Sequence, residues 1–171
     1  MTAIFILGGA RSGKSRRALT IADALPGSRT FIATAQTYDE EMIERVARHR
    51  AERDKHWNTV EAPVDLHAAI AGAKVEHDVL LVDCLTLWLS NVMLGGHDVE
   101  RATRLLLDQM VAPRPGTTLL LVSNEIGMGL VPETPLGRAF RDEQGRLNQR
   151  VAALADRVEF VAAGLPLTLK G

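Results

Sequence analysis

Gly8-Gly9-Ala10-Arg11-Ser12-Gly13-Lys14-Ser15 decides the fold of this 171-residue chain, because it matches the pattern G-x-x-x-x-G-K-[ST] of a phosphate-binding loop. The apolar run 4–7 comes before it, and a helical pattern over 15–25 follows, ended by Pro26-Gly27. Glycines let the backbone curl so that successive N–H groups point at phosphate oxygens, and Lys14 adds a positive charge. The order of strand, loop and helix therefore predicts a phosphate cradle, with a plain glycine-rich turn as the alternative.

Composition limits the class of protein. The length fits one domain, and a net charge of −1 with 4% aromatic residues gives no attraction to nucleic acid. Cys84 is the single cysteine, so no disulfide can form within the chain, which fits a reducing compartment. The apolar stretch 79–89 is interrupted by Asp83 and is too short to cross a bilayer, and no basic segment precedes the first apolar run. We expect a cytoplasmic protein without a membrane span.

Short runs rich in Val, Ile and Leu alternate along the chain with helical patterns. The expected strands are 2–7, 30–33, 58–61, 79–82, 117–122, 158–161 and 167–169. The expected helices are 15–25, 39–53, 65–72, 85–94, 99–111 and 143–155. Strands this apolar are typical of a mostly parallel sheet flanked by helices. We therefore expect a single α/β domain over 1–171, of the P-loop NTPase type (RecA-like), with its site beyond the carboxyl ends of the strands.

An acidic residue follows the expected strand 79–82. Asp83 stands where phosphate-loop enzymes hold Mg²⁺, and together with the Ser15 hydroxyl it would supply the oxygen ligands that this ion prefers. An Asp at this place is also a good cap for the helix expected from Leu85. The phosphate loop favours the interpretation that Ser15 and Asp83 bind magnesium.

The segment 39–53 is acidic at its start and basic at its end, as the helix dipole favours. Met42, Val46, His49 and Arg53 share one face of such a helix. Guanidinium groups around His49 disfavour the imidazolium, and neutral imidazole is a nucleophile. Arginines there would also bind nucleotide phosphates. The segment thus indicates transfer of a nucleotidyl or phosphoryl group through His49, and a solvated basic helix end with a core histidine is the alternative.

Polar residues also follow other expected strands. Thr34 and Glu61 stand where a base or a ribose hydroxyl would bind, although turn and strand-end roles explain them equally well. Ser123-Asn124-Glu125 precede a glycine-containing loop, and a long loop at a strand end of this fold usually belongs to the site. Three charged residues come next: Arg138, Arg141 and Asp142. Binding of a second phosphate, contact with a partner subunit and surface ion pairing are the three roles open to them.

With these residues in place, the chain resembles the bifunctional adenosylcobinamide kinase/adenosylcobinamide-phosphate guanylyltransferase family over nearly its whole length. The stretches that carry the resemblance are the loop 8–15, Ile32-Ala33-Thr34-Ala35, 39–53 with its single histidine, 57–63, Val82-Asp83-Cys84-Leu85-Thr86 with Asn91, 124–133, 141–149 and Ala163-Gly164-Leu165-Pro166. Several such strings in the same order are much more specific than the phosphate loop alone.

The resemblance implies two reactions of cobalamin biosynthesis on a corrinoid substrate. One phosphorylates the aminopropanol arm of adenosylcobinamide with ATP or GTP. The other joins GMP from GTP to that phosphate, releases pyrophosphate and passes through a guanylylated histidine, which by position is His49. Some relatives have a pair of histidines there, whereas this chain has Arg48 before His49, which alters the local charge. The family also implies a ring of like subunits, a homotrimer.

The resemblance also implies which residues form the site. His49 and Lys14 are implied to be catalytic, and Ser15 and Asp83 to hold Mg²⁺. Contacts to GTP or ATP are implied at Gly8, Gly9, Ala10, Arg11, Ser12, Gly13, Lys14, Ser15, Ala33, Thr34, Ala35, Arg50, Ala51, Glu52, Arg53, Glu61 and Asp83.

Two other functions fit the phosphate loop. A plain small-molecule kinase would transfer the γ-phosphate, with His49 in a structural role, and would never retain GMP. A nucleotide-switched interaction module or a nucleic-acid motor would use the same loop, but the near-neutral charge and scarce aromatic residues argue against the motor. Retention of GMP on the chain distinguishes the two-step transferase from these alternatives.

Overall fold

The computed structural model describes residues 1–36, 57–112 and 114–171. Strands in this part of the chain are β1 (Thr2–Gly8), β2 (Arg29–Ala33), β3 (Trp57–Glu61), β4 (Val79–Asp83), β5 (Thr118–Asn124), β6 (Arg157–Ala162) and β7 (Leu165–Lys170). The helices are α1 (Lys14–Ala24), α2 (Leu66–Glu76), α3 (Leu85–Leu94), α4 (Val99–Val111) and α5 (Pro135–Leu154). The helix predicted over 39–53 lies outside the described residues.

The described strands form one seven-stranded sheet in the order β3-β2-β4-β5-β1-β6-β7. Neighbouring strands run parallel, except that β6 and β7 form an antiparallel hairpin. β1 is the first strand in sequence but lies inside the sheet, between β5 and β6. Parallel neighbours need crossover connections, and helices lie in those connections that the structure describes in full. The predicted α/β class with a mostly parallel, helix-flanked sheet is therefore confirmed.

Both faces of the sheet are buried against helices. On one face, Phe5 and Leu121 belong to a core that α2, α3, α4 and α5 cover, with Trp88 of α3 among its largest buried side chains. On the other face, Ile6 and Val122 pack in a second core with α1. Because successive residues of a strand point to opposite faces, the unbroken apolar runs in the sequence are what a sheet covered on both sides requires.

Helix α5 is longer than the sequence pattern indicated, because it begins at Pro135 and not near 143. The Thr134 hydroxyl accepts a hydrogen bond of 3.1 Å from the N–H of Gly137, and Pro135 occupies the first turn, where a missing N–H costs nothing. Two glycines, at 137 and 145, weaken the helical pattern that follows this Thr-Pro start signal. Helix α2 likewise continues past the predicted 65–72 to Glu76.

A buried ion pair ties α1 to the strand beside β1. Glu159 of β6 is 1% exposed and accepts two hydrogen bonds from the Arg17 guanidinium, of 2.8 and 2.9 Å, and Arg157 contacts the same carboxylate. The hydrogen bond from Arg17 lowers the pKa of Glu159, and the same bond raises the pKa of Arg17. Such a two-pronged pair fixes geometry as well as charge. It therefore anchors the helix that begins at the phosphate loop.

We predict that Glu159→Gln lowers the free energy of unfolding at pH 7 by about 2 kcal/mol, because the charged hydrogen bonds from Arg17 are lost. A carboxyl whose folded pKa lies below its unfolded value stabilises the fold above the unfolded pKa, and this gain disappears as the pH falls through the folded pKa. The difference between wild type and variant should therefore shrink below about pH 4. Urea unfolding followed by circular dichroism at several pH values measures it.

The matched control is Glu143→Gln. Glu143 pairs with Arg146 at the surface of α5, and pairs of this kind contribute less than about 1 kcal/mol. An equal loss of stability in the two variants, or a Glu159→Gln effect that does not change with pH, would contradict the assigned role of the buried pair.

Candidate functional site

The carboxyl ends of the parallel strands meet at one edge of the sheet. Strand pairing places Glu61 of β3 beside Ala33 of β2, and Ala33 beside Asp83 of β4. Strand β5 comes next, and its last residue, Asn124, pairs with Gly8 at the start of the phosphate loop. Neighbouring strands lie about 4.8 Å apart. Residues predicted from four separate stretches of sequence, Gly8, Ala33, Glu61 and Asp83, therefore lie along one edge of the sheet.

The phosphate loop has the backbone of an anion cradle. Arg11 and Gly13 have φ angles of +55° and +95°, which turn the chain between β1 and α1. Around Gly9 the space that a Cβ would enter is open, with no heavy atom within 4 Å apart from its chain neighbours. The Ser12 hydroxyl is buried and has no hydrogen-bond partner within the described part of the chain. A buried, unsatisfied donor in a curled loop fits the oxygens of a phosphate group.

Helix α1 presents Lys14 and Ser15 to this loop. Lys14 is the first residue of the helix, and its ammonium donates a hydrogen bond of 3.0 Å to the carbonyl of Gly9. The side chain therefore folds back over the loop and keeps its positive charge at the cradle. Ser15 follows in the same turn and is half-buried. The positive end of the helix dipole adds to the attraction for an anion here.

Asp83 ends β4 and is half-buried, and the next residue, Cys84, is buried. The peptide bond between them is cis. Burial, and secondarily the Asp83 carboxylate, raise the pKa of the Cys84 thiol to about 11, and the Lys14 ammonium acts in the opposite direction. Both charges therefore lie near the thiol. At neutral pH the thiol stays protonated, which argues against Cys84 as a nucleophile.

Ser15 and Asp83 offer a hydroxyl and a carboxylate oxygen, which are donor types that suit Mg²⁺. In the ranges that the structure describes, no group of three or more His, Cys, Asp or Glu side chains is placed to hold a metal ion. A magnesium ion at this edge would therefore need phosphate oxygens and water to complete its ligands.

Thr34 follows β2 and is completely buried. Its hydroxyl donates to the carbonyl of Cys84 at 2.7 Å and accepts from the N–H of Cys84 at 2.8 Å. The N–H of Thr34 donates to the Asp83 carbonyl, and its carbonyl accepts from Asn91. The polar groups of Thr34 are thus occupied by its neighbours. For this side chain the structure favours the strand-end role over direct contact with a base or a ribose.

Helix α3 contributes positioning residues that the sequence reasoning did not assign. Asn91 donates to the carbonyls of Thr34 and Pro63, at 2.8 and 3.0 Å, and so joins the loops that follow β2 and β3. Trp88 donates through Nε1 to the carbonyl of Val64 at 2.8 Å. Little in the sequence indicates these roles. The one indication is that Asn91 and Trp88 carry polar groups on a helix that is otherwise apolar and buried.

A buried polar cluster holds the end of β5. The Ser123 hydroxyl donates to Asn148 at 2.8 Å, and the Gln144 amide donates to both of these side chains at 2.9 Å. Thr86 accepts from the N–H of Asn124, and Asn148 donates to the carbonyl of Asn124. Because Ser123 faces this cluster, the alternation of side chains along a strand turns Asn124 to the opposite face, which α1 covers. Asn124 thus belongs to the phosphate-loop side of the edge.

The loop after β5, residues 125–134, starts against the phosphate loop, since the N–H of Glu125 donates to the carbonyl of Gly8 at 3.1 Å. Farther along, this loop exposes large apolar side chains: Met128, Leu130 and Val131. A loop that begins at the cradle and then presents apolar groups offers a binding surface beside the predicted phosphate site.

The charged residues at the start of α5 have partners close by. Arg138 donates to the carbonyls of Pro132 and Glu133, at 3.0 and 2.7 Å, and therefore closes the loop that precedes its own helix. Arg141 lies 3.6 Å from Asp142, as in a surface ion pair. The surface ion pair, one of the three roles considered, describes Arg141 and Asp142, whereas Arg138 has a role that was not considered, closure of the loop before α5.

The predicted nucleophile lies outside the described residues, together with its neighbours: His49, Arg48, Arg50, Ala51, Glu52 and Arg53. Their expected roles stay predictions. Glu61, on the other hand, ends β3 and is exposed at the same edge as Asp83. In the described ranges, no helix has the length and apolar character needed to cross a bilayer.

Solved structures with a similar fold are ATPases. A prototypical ATPase of the type III secretion system of pathogenic bacteria matches 98% of this chain with a TM-score of 0.59 and 12% identity, and 56% of its own chain is covered. The ATPase EscN from the type III secretion system of enteropathogenic E. coli matches 95% of this chain, also with a TM-score of 0.59 and 12% identity, and 43% of its chain is covered. This chain thus spans about half of each, and the likeness shows the fold alone.

Relatives in sequence cover the whole chain. The bifunctional adenosylcobalamin biosynthesis protein CobP of Pseudomonas aeruginosa is 47% identical over 97% of this chain and 96% of its own length. The bifunctional adenosylcobalamin biosynthesis proteins CobU of Salmonella typhimurium and Escherichia coli are each 38% identical over 98% of this chain and 99% of their own length. Residues 4–169 match the model of the CobU family, described as cobinamide kinase / cobinamide phosphate guanyltransferase. With its phosphate loop and its parallel sheet in place, this chain belongs to the CobU family.

Proposed function

We propose that this chain phosphorylates adenosylcobinamide with ATP or GTP and then transfers GMP from GTP to the new phosphate, which gives adenosylcobinamide-GDP. The observation that carries the proposal is the alignment of Gly8, Asp83, Ala33 and Glu61 along one sheet edge, beside a loop with the backbone of an anion cradle. Membership of a family described by both activities, and relatives named as bifunctional, support two reactions on one chain.

In the kinase reaction, a hydroxyl oxygen of the corrinoid bonds to the γ-phosphorus while the bond to the bridging oxygen breaks. The hydroxyl proton is released to solvent water, and the nucleoside diphosphate leaves. Negative charge on the transferred group is stabilised by the N–H groups of the loop 8–15 and by the Lys14 ammonium. Ser15 and Asp83 would hold Mg²⁺, which would supply positive charge that offsets part of the charge on the phosphate groups.

In the guanylyl transfer, a ring nitrogen of His49 attacks the α-phosphorus of GTP, and the bond to pyrophosphate breaks. A phosphate oxygen of the corrinoid then attacks the same phosphorus, and the imidazole leaves. This chemistry needs an uncharged ring. Arg48 and Arg50 flank His49 in the sequence, so they disfavour its protonation and are suited to bind phosphate oxygens.

We predict that the wild-type protein keeps a covalent label after incubation with α-labelled GTP and denaturation, and that His49→Asn does not. Label on a denaturing gel and the mass of a GMP adduct on the intact chain measure the intermediate. The control is His97→Asn, because His97 is exposed in the turn after α3, a helix whose other end lies at the carboxyl edge of the sheet, and this variant should label normally.

Labelling of His49→Asn at the wild-type level would contradict a histidine intermediate. Absence of label from the wild type, combined with kinase turnover, would indicate the plain small-molecule kinase. Label from γ-labelled GTP would point to a phosphorylated chain and not to a guanylylated one.

The kinase reaction should depend on the charge of Lys14. We predict that Lys14→Ala lowers kcat/KM for phosphorylation of adenosylcobinamide by about 100-fold or more, because a preorganised contact to the transferred phosphoryl group is lost. Steady-state kinetics with ATP and with GTP measure the effect. Lys170→Ala is the control, since Lys170 on β7 contacts carbonyls of α5 and should keep wild-type rates. Unchanged turnover in Lys14→Ala would refute the role given to the loop.

We further propose that the chain assembles as a homotrimer. Strand β7 is an edge strand of the sheet, and its Leu165, Leu167 and Leu169 are each more than half exposed. An apolar stripe on an exposed edge strand is a liability unless a partner covers it. A second copy of the chain is the partner that the family resemblance implies.

Leu167→Glu is therefore predicted to shift the molar mass in solution from that of a trimer to a smaller species, because a carboxylate cannot be buried cheaply in an apolar contact. Size-exclusion chromatography with light scattering measures the mass. Val75→Glu is the control, since Val75, like Leu167, is more than half exposed but lies on α2. A monomeric wild type, or a trimer that survives Leu167→Glu, would count against this interface.

A further inference from the structure

The turn that joins β6 to β7 lies against the phosphate loop. The N–H of Gly164 in this turn donates a hydrogen bond of 2.8 Å to the carbonyl of Ser12. A Cβ placed on Gly13 would lie 3.2 Å from the Cα of Gly164, and one placed on Gly8 would lie 2.5 Å from the carbonyl oxygen of Val161. Two glycines of the phosphate-loop pattern are therefore packed against the C-terminal hairpin. A side chain at Gly8 would therefore clash with the hairpin, and one at Gly13 would be tightly packed against it.

The hairpin holds its turn in a fixed position. Ala163 and Gly164 are the two residues of the turn, and both have positive φ angles, of +51° and +80°. Two central residues with positive φ are the conformation that matches the twist of hairpin strands. Ala162 pairs with Leu165 directly beside the turn. Since β6 also pairs with β1, the Gly164 N–H and the start of the phosphate loop are positioned by one continuous sheet.

The hydrogen bond from Gly164 orients one peptide group of the loop. Ser12 and Gly13 are joined by a planar trans peptide, in which the C=O and the N–H point in opposite directions. Because the Ser12 carbonyl points toward the hairpin turn, the Gly13 N–H points away from it. Gly13 also begins the first turn of α1, where N–H groups are available to a bound anion.

We propose that the Ala163-Gly164 turn is a positioning element of the nucleotide site, which holds the Ser12–Gly13 peptide so that the Gly13 N–H faces the bound phosphates. The ligand is a nucleoside triphosphate. The inference rests on one part of the proposed function, the binding of such a nucleotide at the phosphate loop. Gly164 acts through Ser12 and Gly13 and does not touch the reacting atoms. Its loss should weaken nucleotide binding by an amount that fold stability does not explain.

The test compares Gly164→Ala with Gly116→Ala. Gly116 also has a positive φ, of +86°, and open space around it, but it lies in the turn before β5, at the opposite end of the sheet. Both substitutions force a Cβ into the same unfavourable backbone region. GTP binding by calorimetry and thermal unfolding are measured for both. We expect similar losses of thermal stability, but an increase of about tenfold in Kd for GTP in Gly164→Ala alone, as for a weakened hydrogen bond to a charged group.

Asparagine gives the rescue variant, because it tolerates the left-handed region better than alanine does. GTP affinity should therefore recover in Gly164→Asn toward the wild-type value. Equal GTP affinity in Gly164→Ala and Gly116→Ala would overturn the inference. If Gly164→Ala does not fold, Gly164→Ser is compared with Gly116→Ser, and equal affinity of that pair has the same meaning. A wild-type protein that binds no GTP would refute the proposed function itself. Failure of the proposed function is thus distinguished from failure of the inference about the Ala163-Gly164 turn.

Discussion

The parallel pairing of β1 with β5 on one side and β6 on the other is the constraint on which the site depends. It places Gly8 level with Asn124 and with Val161, so the phosphate loop leaves the sheet between two other strand ends. Glu125 then bonds the first carbonyl of the loop, and Gly164 bonds the carbonyl of Ser12. The conformation of the loop is therefore determined from both sides, by segments that are distant in sequence.

Buried polar side chains hold the remaining strand ends. A buried backbone group that lacks a partner costs free energy, and at the end of a strand the sheet no longer supplies that partner. Thr34 and Asn91 supply it for the ends of β2, β3 and β4, and Thr86 and Asn148 supply it for β5. This arrangement satisfies the backbone groups at the edge of the sheet with side chains from neighbouring loops and helices. It also explains why polar residues interrupt an apolar helix such as α3.

Much of the fold could be predicted because strand and helix patterns are local. Apolar runs at β1, β4 and β5 required a sheet covered on both faces, and each strand expected in the described part of the chain is present. The start of α5 was missed because glycines weaken its pattern. For Thr34 the sequence left ligand contact and a strand-end role equally open, because the partner of its hydroxyl, Cys84, is remote in sequence.

The sequence by itself determined the phosphate loop, the class of fold and the acidic residue at the end of β4, because each depends on residues that are adjacent in the chain. Only the tertiary structure decided how Gly8, Ala33, Glu61 and Asp83 come together, since the order of strands in the sheet differs from their order in sequence. The contact between the C-terminal hairpin and the phosphate loop was also decided only by the tertiary structure. A hydrogen bond between Gly164 and Ser12 leaves no periodic signal in the sequence, because its two partners are backbone groups that nearly every residue carries.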